Sequence, residues 1–284
     1  MERRLVPGTQ IETVRDRPLG AFGHAIFDFD GTISLLREGW QGIMAPVMVD
    51  MICGDTEPTQ AIRDEVAAFI DETTGVQTIL QMARLVEMVQ RHGRVAPGEI
   101  LDAQGYKALY NERLMAPVRE RLAKLDQGEL PPAEALVPGA LEFLRELRAR
   151  GLDLYLVSGT DHADVVHEAE KLGAAQFFNG GIMGAEPVYR GSNKEQIIRT
   201  VIDEHGLHGA EVLVCGDGPV EMRHAREHEC VALGVASNEQ EGAGWDWRKR
   251  ERLIAAGADI LVPAFEPVDA LLACLFPGPS ASQA

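Results

Sequence analysis

Short apolar runs, each stopped by a glycine, an acid or a hydroxyl, alternate along this chain with longer stretches whose apolar positions recur every three or four residues. The first run, Ala25-Ile26-Phe27, ends at Asp28-Phe29-Asp30-Gly31-Thr32. A run so short and so apolar predicts a buried strand. Leu152–Thr160 and Glu211–Glu221 repeat the arrangement, ending in Ser158-Gly159-Thr160 and in Cys215-Gly216-Asp217-Gly218. Cys230–Val235 and Ala258–Val262 predict two further strands. Helical spacing separates them. One helix starts near Pro138, carries Leu141, Leu144 and Leu147, and closes at Gly151. Another covers Asp161–Leu172, and a third opens at Asn193-Lys194 and carries Ile197, Ile198, Val201 and Ile202. Strands and helices in this alternation predict an α/β fold on a doubly wound parallel sheet.

Between Leu36 and Glu134 the pattern is helical throughout. Trp40–Ile52 is rich in Met, Val and Ile, and a helix from Pro58 runs through Ile62, Val66 and Phe69. Gln77–His92 has a wide apolar face. Leu101–Leu125 reads as a further helical stretch in which Pro117 is a candidate breaker. Roughly five helices are expected here. Gly128 and Pro131-Pro132 mark the way out. The division predicted is a core of residues 1–35 and 136–284 and a helical unit of residues 36–135 set between its first two strands. Gly180–Tyr189 is predicted as a turn or short hairpin, and the tail from Pro277 as disordered. Residues 1–20 read either as a loose arm or as an extra edge element.

Composition narrows the function. The chain has 284 residues, 45% apolar and 25% charged, which suits a soluble globular protein. A formal net charge of −17 argues against nucleic acid or an anionic membrane as the main partner. Four cysteines without paired spacing suit a reducing compartment, and no signal-peptide or membrane-spanning run is present, so a cytoplasmic location is expected. Oligomeric state is left open. An anionic substrate would have to be attracted by local cations.

Asp28 and Asp30 lie two apart on extended chain and project to the same side. Two carboxylates at one strand end are costly unless a cation, most simply a metal ion, sits between them. In a parallel sheet ligands bind at the carboxyl ends of the strands, which is where Asp28, Ser158 and Asp217 are expected. Trp245 and Trp247 are read as packing a surface helix whose basic run, Arg248-Lys249-Arg250, is solvated.

Taken in order, Asp28-x-Asp30-Gly31-Thr32, Ser158-Gly159-Thr160, Lys194 and Gly216-Asp217-Gly218-x-x-Glu221 resemble the four motifs of the haloacid dehalogenase superfamily. The helical insert after the first motif is similar to that of its phosphatase branch, the phosphoglycolate phosphatase and β-phosphoglucomutase-like members. The resemblance implies a Mg2+-dependent phosphatase acting on a small-molecule phosphate ester through an aspartyl-phosphate. Asp28 would be the nucleophile and Asp30 the general acid and base. Ser158, Gly159 and Lys194 would bind phosphate. Mg2+ would be held by Asp28, the Asp30 carbonyl and Asp217, with Glu221 behind them. Substrate contacts are expected from the helical insert acting as a cap: Arg37 on a second anionic group, Trp40 on a sugar face, and Gln77 on a hydroxyl; the alternatives are a surface place for Arg37 and, favoured for Trp40, a place in the cap's core. A sugar-phosphate mutase of the β-phosphoglucomutase type, or a binding module that keeps the fold without catalysis, are the alternatives.

Overall fold

The computed structural model describes residues 4–185 and 194–277, with the side chains at 194, 195, 197 and 201 outside that set. Eight strands form one sheet: β1 (Arg4–Leu5), β2 (Glu12–Thr13), β3 (His24–Phe27), β4 (Asp153–Asp161), β5 (Gly181–Ala185), β6 (Val212–Gly216), β7 (Val231–Val235) and β8 (Ile260–Val262). Their order across the sheet is β1-β2-β8-β7-β6-β3-β4-β5. From β8 to β5 the strands are parallel, and β1 and β2 close one edge antiparallel.

β3 lies between β4 and β6, so the chain winds outward from it in both directions. Its carboxyl end is therefore the switch point at which a crevice opens in such sheets. Register sharpens this. Phe27 pairs with Leu156 on one side and Cys215 on the other, so Asp28, Ser158 and Asp217 emerge along the same edge. β3, β6, β7 and β8 are buried along their whole length, as strands covered on both faces must be. On one face Phe27 packs with Phe143, Phe178 and Phe265; on the other Ile26 joins Tyr155, Val214 and Met222.

Four helices follow β3 and make up the insert: α1 (Trp40–Cys53), α2 (Gln60–Glu72), α3 (Thr78–His92) and α4 (Ala103–Asp126). They bury a cluster of their own around Met44, Met48, Val66, Leu85 and Tyr110. Thr59 and Asp102 start α2 and α4 by accepting from the main-chain N–H of Ile62 and Gly105. The remaining helices cover the sheet: α5 (Ala140–Ala149), α6 (His162–Lys171), α7 (Lys194–His205), α8 (Pro219–Glu227), α9 (Trp247–Ala256) and α10 (Val268–Leu275). None of the helices among the described residues is long and apolar enough to cross a membrane.

Several expectations need correction. The fifth helix of the insert is a single 3-10 turn, Pro132–Ala135. Pro117 lies inside α4 without breaking it. Leu114 and Val118 on either side are buried in the insert's core, and that packing outweighs a cost of about 3 kcal/mol for an interior proline. The predicted turn at Gly180 contains β5, which pairs in parallel with β4. Glycine disguised it, and glycine is required there: a Cβ at Gly180 would lie 2.4 Å from the Tyr155 ring and one at Gly184 2.5 Å from His162 Cα. Residues 186–189 of that stretch, and 278–284 of the tail, lie outside the described residues. Of the two readings for the N-terminus, the edge element is found: Ile11 is buried and β2 pairs with β8.

Candidate active site

The site begins where β3 runs out of apolar residues. Asp28 N–H donates to the Cys215 carbonyl at 2.9 Å, which prolongs the sheet by one residue. Asp28 Oδ1 in turn accepts from Phe29 N–H at 2.8 Å, and this bond orients the buried carboxylate. Gly31 then turns the chain with φ of 74°. No other residue fits: a Cβ there would lie 2.3 Å from Asp217 Oδ2 and 2.9 Å from Glu239 Oε1. The turn that follows the first two aspartates is thus pressed onto the third.

From the end of β4, Ser158 Oγ accepts from Thr160 N–H at 3.0 Å, and the Thr160 hydroxyl donates to Asp30 Oδ2 at 2.7 Å. Asp30 Oδ1 is buried with no hydrogen-bond partner. From the end of β6, Asp217 is buried, and Glu221 in the first turn of α8 is 2% exposed. Glu221 lies under the glycines around Asp217: a Cβ at Gly218 would be 2.6 Å from its Oε2. It also meets the insert, since a Cβ at Gly75 would be 2.8 Å from its Oε1. The same turn between α2 and α3 covers Gly159, where a Cβ would sit 3.3 Å from the Val76 carbonyl.

These pieces enclose a cavity of about 80 Å3 lined by Asp28, Asp30, Ser158, Gly159, Thr160 and Asp217 from the core. The insert contributes Trp40, Met44, Tyr110, Leu114, Gln81 and the turn Thr74–Val76, and Arg37 completes the lining from the linking loop. The sequence-derived residues Asp28, Asp30, Ser158, Gly159, Asp217, Arg37 and Trp40 therefore meet at one place. Glu221 supports it from behind. Gln77 is the N-cap residue of α3 and approaches Gly159 by its Cα, but the glutamine that lines the cavity is Gln81, one turn on. The backbone of α7 begins at Lys194, whose side chain lies outside the described residues.

Arg37 has partners that its place in the sequence does not reveal. Its side chain is 8% exposed, and its guanidinium holds Glu168 through Nε at 3.2 and 3.1 Å and Nη2 at 2.5 Å. Asp164 lies 3.5 Å from Nη2 and Asp30 Oδ1 3.8 Å from Nε. Three carboxylates therefore surround this cation at the edge of the cavity that it also lines. Burial pushes the Glu168 carboxyl up to about 7, against the pull of the Arg37 hydrogen bonds and charge.

A correction concerns Arg248-Lys249-Arg250, expected as a solvated run: only Arg248 is exposed. Lys249 is 2% and Arg250 8% exposed. Lys249 Nζ lies 3.0 Å from Asp217 Oδ2 and 2.6 Å from Glu239 Oε1. Burial alone would lower the ammonium's pKa, but the charges of Asp217 and Glu239 more than offset it and hold Lys249 above the ordinary lysine range. Burial likewise pushes Glu239 upward, with Lys249 opposing. Arg250 is fastened to Glu12 by two nitrogens and lies over the stacked rings of Trp245 and Trp247. A signal for Lys249 existed: it shares one helical face with Leu253 and Ala256, four and seven residues on, and both are buried. Thr160 was visible as part of a motif, though nothing in its spacing reveals the bond to Asp30.

A family model described as haloacid dehalogenase-like hydrolase matches residues 22–228. Human phosphoserine phosphatase is 27% identical over 188 residues, covering 61% of this chain and 76% of that protein. Phosphoglycolate phosphatase of Synechococcus elongatus is 25% identical over 163 residues, covering 57% and 69%. Among solved structures, a haloacid dehalogenase-like family hydrolase from Streptococcus pneumoniae superposes with a TM-score of 0.55 at 18% identity over 88% of this chain and 97% of that one. β-Phosphoglucomutase from Clostridium difficile gives 0.54 at 14% identity over 86% and 91%. At such identities the two structures speak for the fold.

Proposed function

The chain belongs to the haloacid dehalogenase-like hydrolases, and from that premise we propose that it is a Mg2+-dependent phosphatase of a small phosphorylated metabolite, a sugar phosphate or a short phosphorylated acid. The observation that carries this reading is the state of Asp30. One oxygen is anchored by the Thr160 hydroxyl while the other, buried beside the Asp28-lined cavity, has no hydrogen-bond partner. A carboxyl group held at one oxygen and open at the other suits the transfer of a proton to and from a reacting group.

Asp28 attacks phosphorus; its oxygen–phosphorus bond forms as the bond to the ester oxygen breaks, and that oxygen leaves with the proton from Asp30. Water then attacks the same phosphorus, passes its proton to Asp30, and frees the Asp28 carboxylate. Ser158 Oγ already accepts from Thr160 N–H, so its own hydroxyl proton is directed to a phosphoryl oxygen. Lys194, at the head of α7, is assigned the remaining phosphate charge.

The residues fit a divalent cation. Asp28 and Asp217 are both buried and line one cavity, and an all-oxygen set of two carboxylates and the Asp30 carbonyl suits a hard ion such as Mg2+. Among the described residues no three His, Cys, Asp or Glu side chains form a metal cluster, and this set requires only two. When bound, Mg2+ would neutralise phosphoryl charge and favour in-line displacement. The helical insert, residues 36–135, acts as a cap over the core of residues 1–35 and 136–284. Its turn lies on Gly159 and Glu221, so the cavity of about 80 Å3 between insert and core favours a small substrate.

The test is phosphate release from a panel of sugar, hydroxy-acid and amino-acid monophosphates, with Mg2+ and with EDTA. D28N should abolish turnover while melting at the same temperature as the native protein. Undiminished release by D28N would sink the assignment.

A further inference from the structure

A second cavity lies away from the catalytic edge. It is a groove of about 870 Å3 bounded by α2 of the insert and by α8 and α9 of the core. Arg223 and Arg226 line it from α8, Arg248 and Arg252 from α9. Acids outnumber Lys and Arg by 44 to 27 in this chain, so four guanidiniums in one groove run against its composition. Three carboxylates share the lining, Asp71, Glu72 and Glu227, which leaves a local positive excess on a molecule of net charge −17.

The pairing within the groove is uneven. Asp71 alone receives both Arg248 and Arg252, the latter with Nη1 2.6 Å from Oδ1. Arg252 Nε is buried and lacks an acceptor. Arg223 and Arg226 are exposed and enter no ion pair among the described residues. A bridge from insert to core accounts for Asp71 with its two arginines. It leaves Arg223 without a structural task, and Arg226, whose stem passes Gly257 and whose charge is felt by the buried Asp259, without a close ion-pair partner. Their spacing of three residues on α8, and that of four on α9, puts each pair on one helix face. Between the two rows the floor is small and apolar, formed by Ala68, Pro219, Ala255 and Ala256.

We propose that this groove binds a small polyphosphate anion, recognised through its pyrophosphoryl group, at a site separate from the catalytic cavity. Guanidinium forks match paired phosphate oxygens, and the groove has the volume of sites that hold nucleotide-sized ligands. Binding competes with Asp71, because the groups that hold Asp71 are those the phosphates need. Asp71 is on α2, and the turn that follows α2 is the one packed against Gly159 and Glu221. An anion in the groove therefore loosens the insert from the core, and closure of the insert weakens the anion by the same factor. None of this depends on the reaction assigned to the catalytic cavity.

The experiment is isothermal titration calorimetry of the full chain with inorganic pyrophosphate and, separately, with ATP. EDTA is present so that no divalent metal bridges either ligand to the catalytic carboxylates. Binding of both identifies the pyrophosphoryl group as sufficient; binding of ATP alone adds the nucleoside; either supports the site. R223Q/R226Q changes two exposed side chains, and its melting temperature reports that the fold is kept. It should weaken binding by about tenfold or more. D71N removes the internal competitor and should tighten binding severalfold, a gain that damage to the fold would not produce. The proposal is overturned if neither ligand binds at millimolar concentration, if R223Q/R226Q binds like the native chain, or if D71N binds no more tightly.

Discussion

Two buried cations flank the catalytic edge, and they are held in different ways. Lys249 comes from α9 and is shared by Asp217 and Glu239. Arg37 comes from the loop after β3 and is surrounded by Glu168, Asp164 and, more distantly, Asp30. Lys249 is a compact charge against an aspartate assigned to the metal. Arg37 is a planar fork whose main partner has a carboxyl raised to about 7. On the Asp217 side, then, charge balance rests on a lysine that keeps its proton. On the Asp30 side it includes a carboxylate that can give up its charge near neutrality. Under the proposed function, with a divalent cation at one aspartate and a moving proton at the other, the site would use that asymmetry.

K249M is the strongest way to break the comparison. Glu239 and Asp217 lose a shared ammonium that is almost fully enclosed. Removing one partner of a buried pair costs about 3–5 kcal/mol, and urea unfolding in EDTA should show a loss of that size. Mg2+ should then restore more stability to K249M than it adds to the native protein, because it supplies the charge that was lost. If Mg2+ raises both melting temperatures equally, Lys249 does not share the assigned metal aspartate's charge balance.

R37M should behave differently with pH. In the native protein Glu168 holds its proton more tightly than the 4.5 of an ordinary glutamate, up to about 7. A raised carboxyl stabilises the fold below 4.5, and that contribution is lost as pH rises through about 7. Without Arg37, Glu168 is buried with no strong cation beside it and its proton is held more tightly still. The loss in R37M should be about 1.5–3 kcal/mol at pH 8, the worth of a hydrogen bond to a charged group, and shrink toward pH 5, where the carboxyl is neutral. R37M/E168Q should recover much of it at pH 8. A penalty independent of pH would mean that Arg37 matters through packing alone.

How legible each side was in the sequence follows from the same contrast. The strand ends were readable because apolar runs stopped by Asp, Ser and Gly announce buried parallel strands, and register does the rest. Asp28, Ser158 and Asp217 met as expected. The counter-ions were not readable, since no local rule links Lys249 to Asp217 or Arg37 to Glu168 across 131 residues. Such pairings exist only once the sheet has brought distant segments together. β5 was hidden for a related reason, its glycines being chosen by the ring of Tyr155 and the backbone at His162 rather than by the strand itself.

The smallest effect asked of the comparison concerns how Asp30 is aimed. Thr160 donates to Asp30 Oδ2 at 2.7 Å from the neighbouring strand end. T160V keeps the shape and removes that hydroxyl, so stability should fall by only about 1 kcal/mol, the usual worth of such a bond. Catalysis should suffer more selectively. In the proposed role of Asp30, an ester whose alcohol is a poor leaving group would need its proton, whereas an aryl phosphate with an acidic phenol would need it far less. T160V should therefore lower kcat for alkyl phosphates by about tenfold while leaving small aryl phosphates nearly unchanged, and D30N should exaggerate the same split. Equal losses on both classes would assign Thr160 to general positioning of the phosphoryl group, and the difference between the two sides of the site would then rest on Arg37 and Lys249 alone.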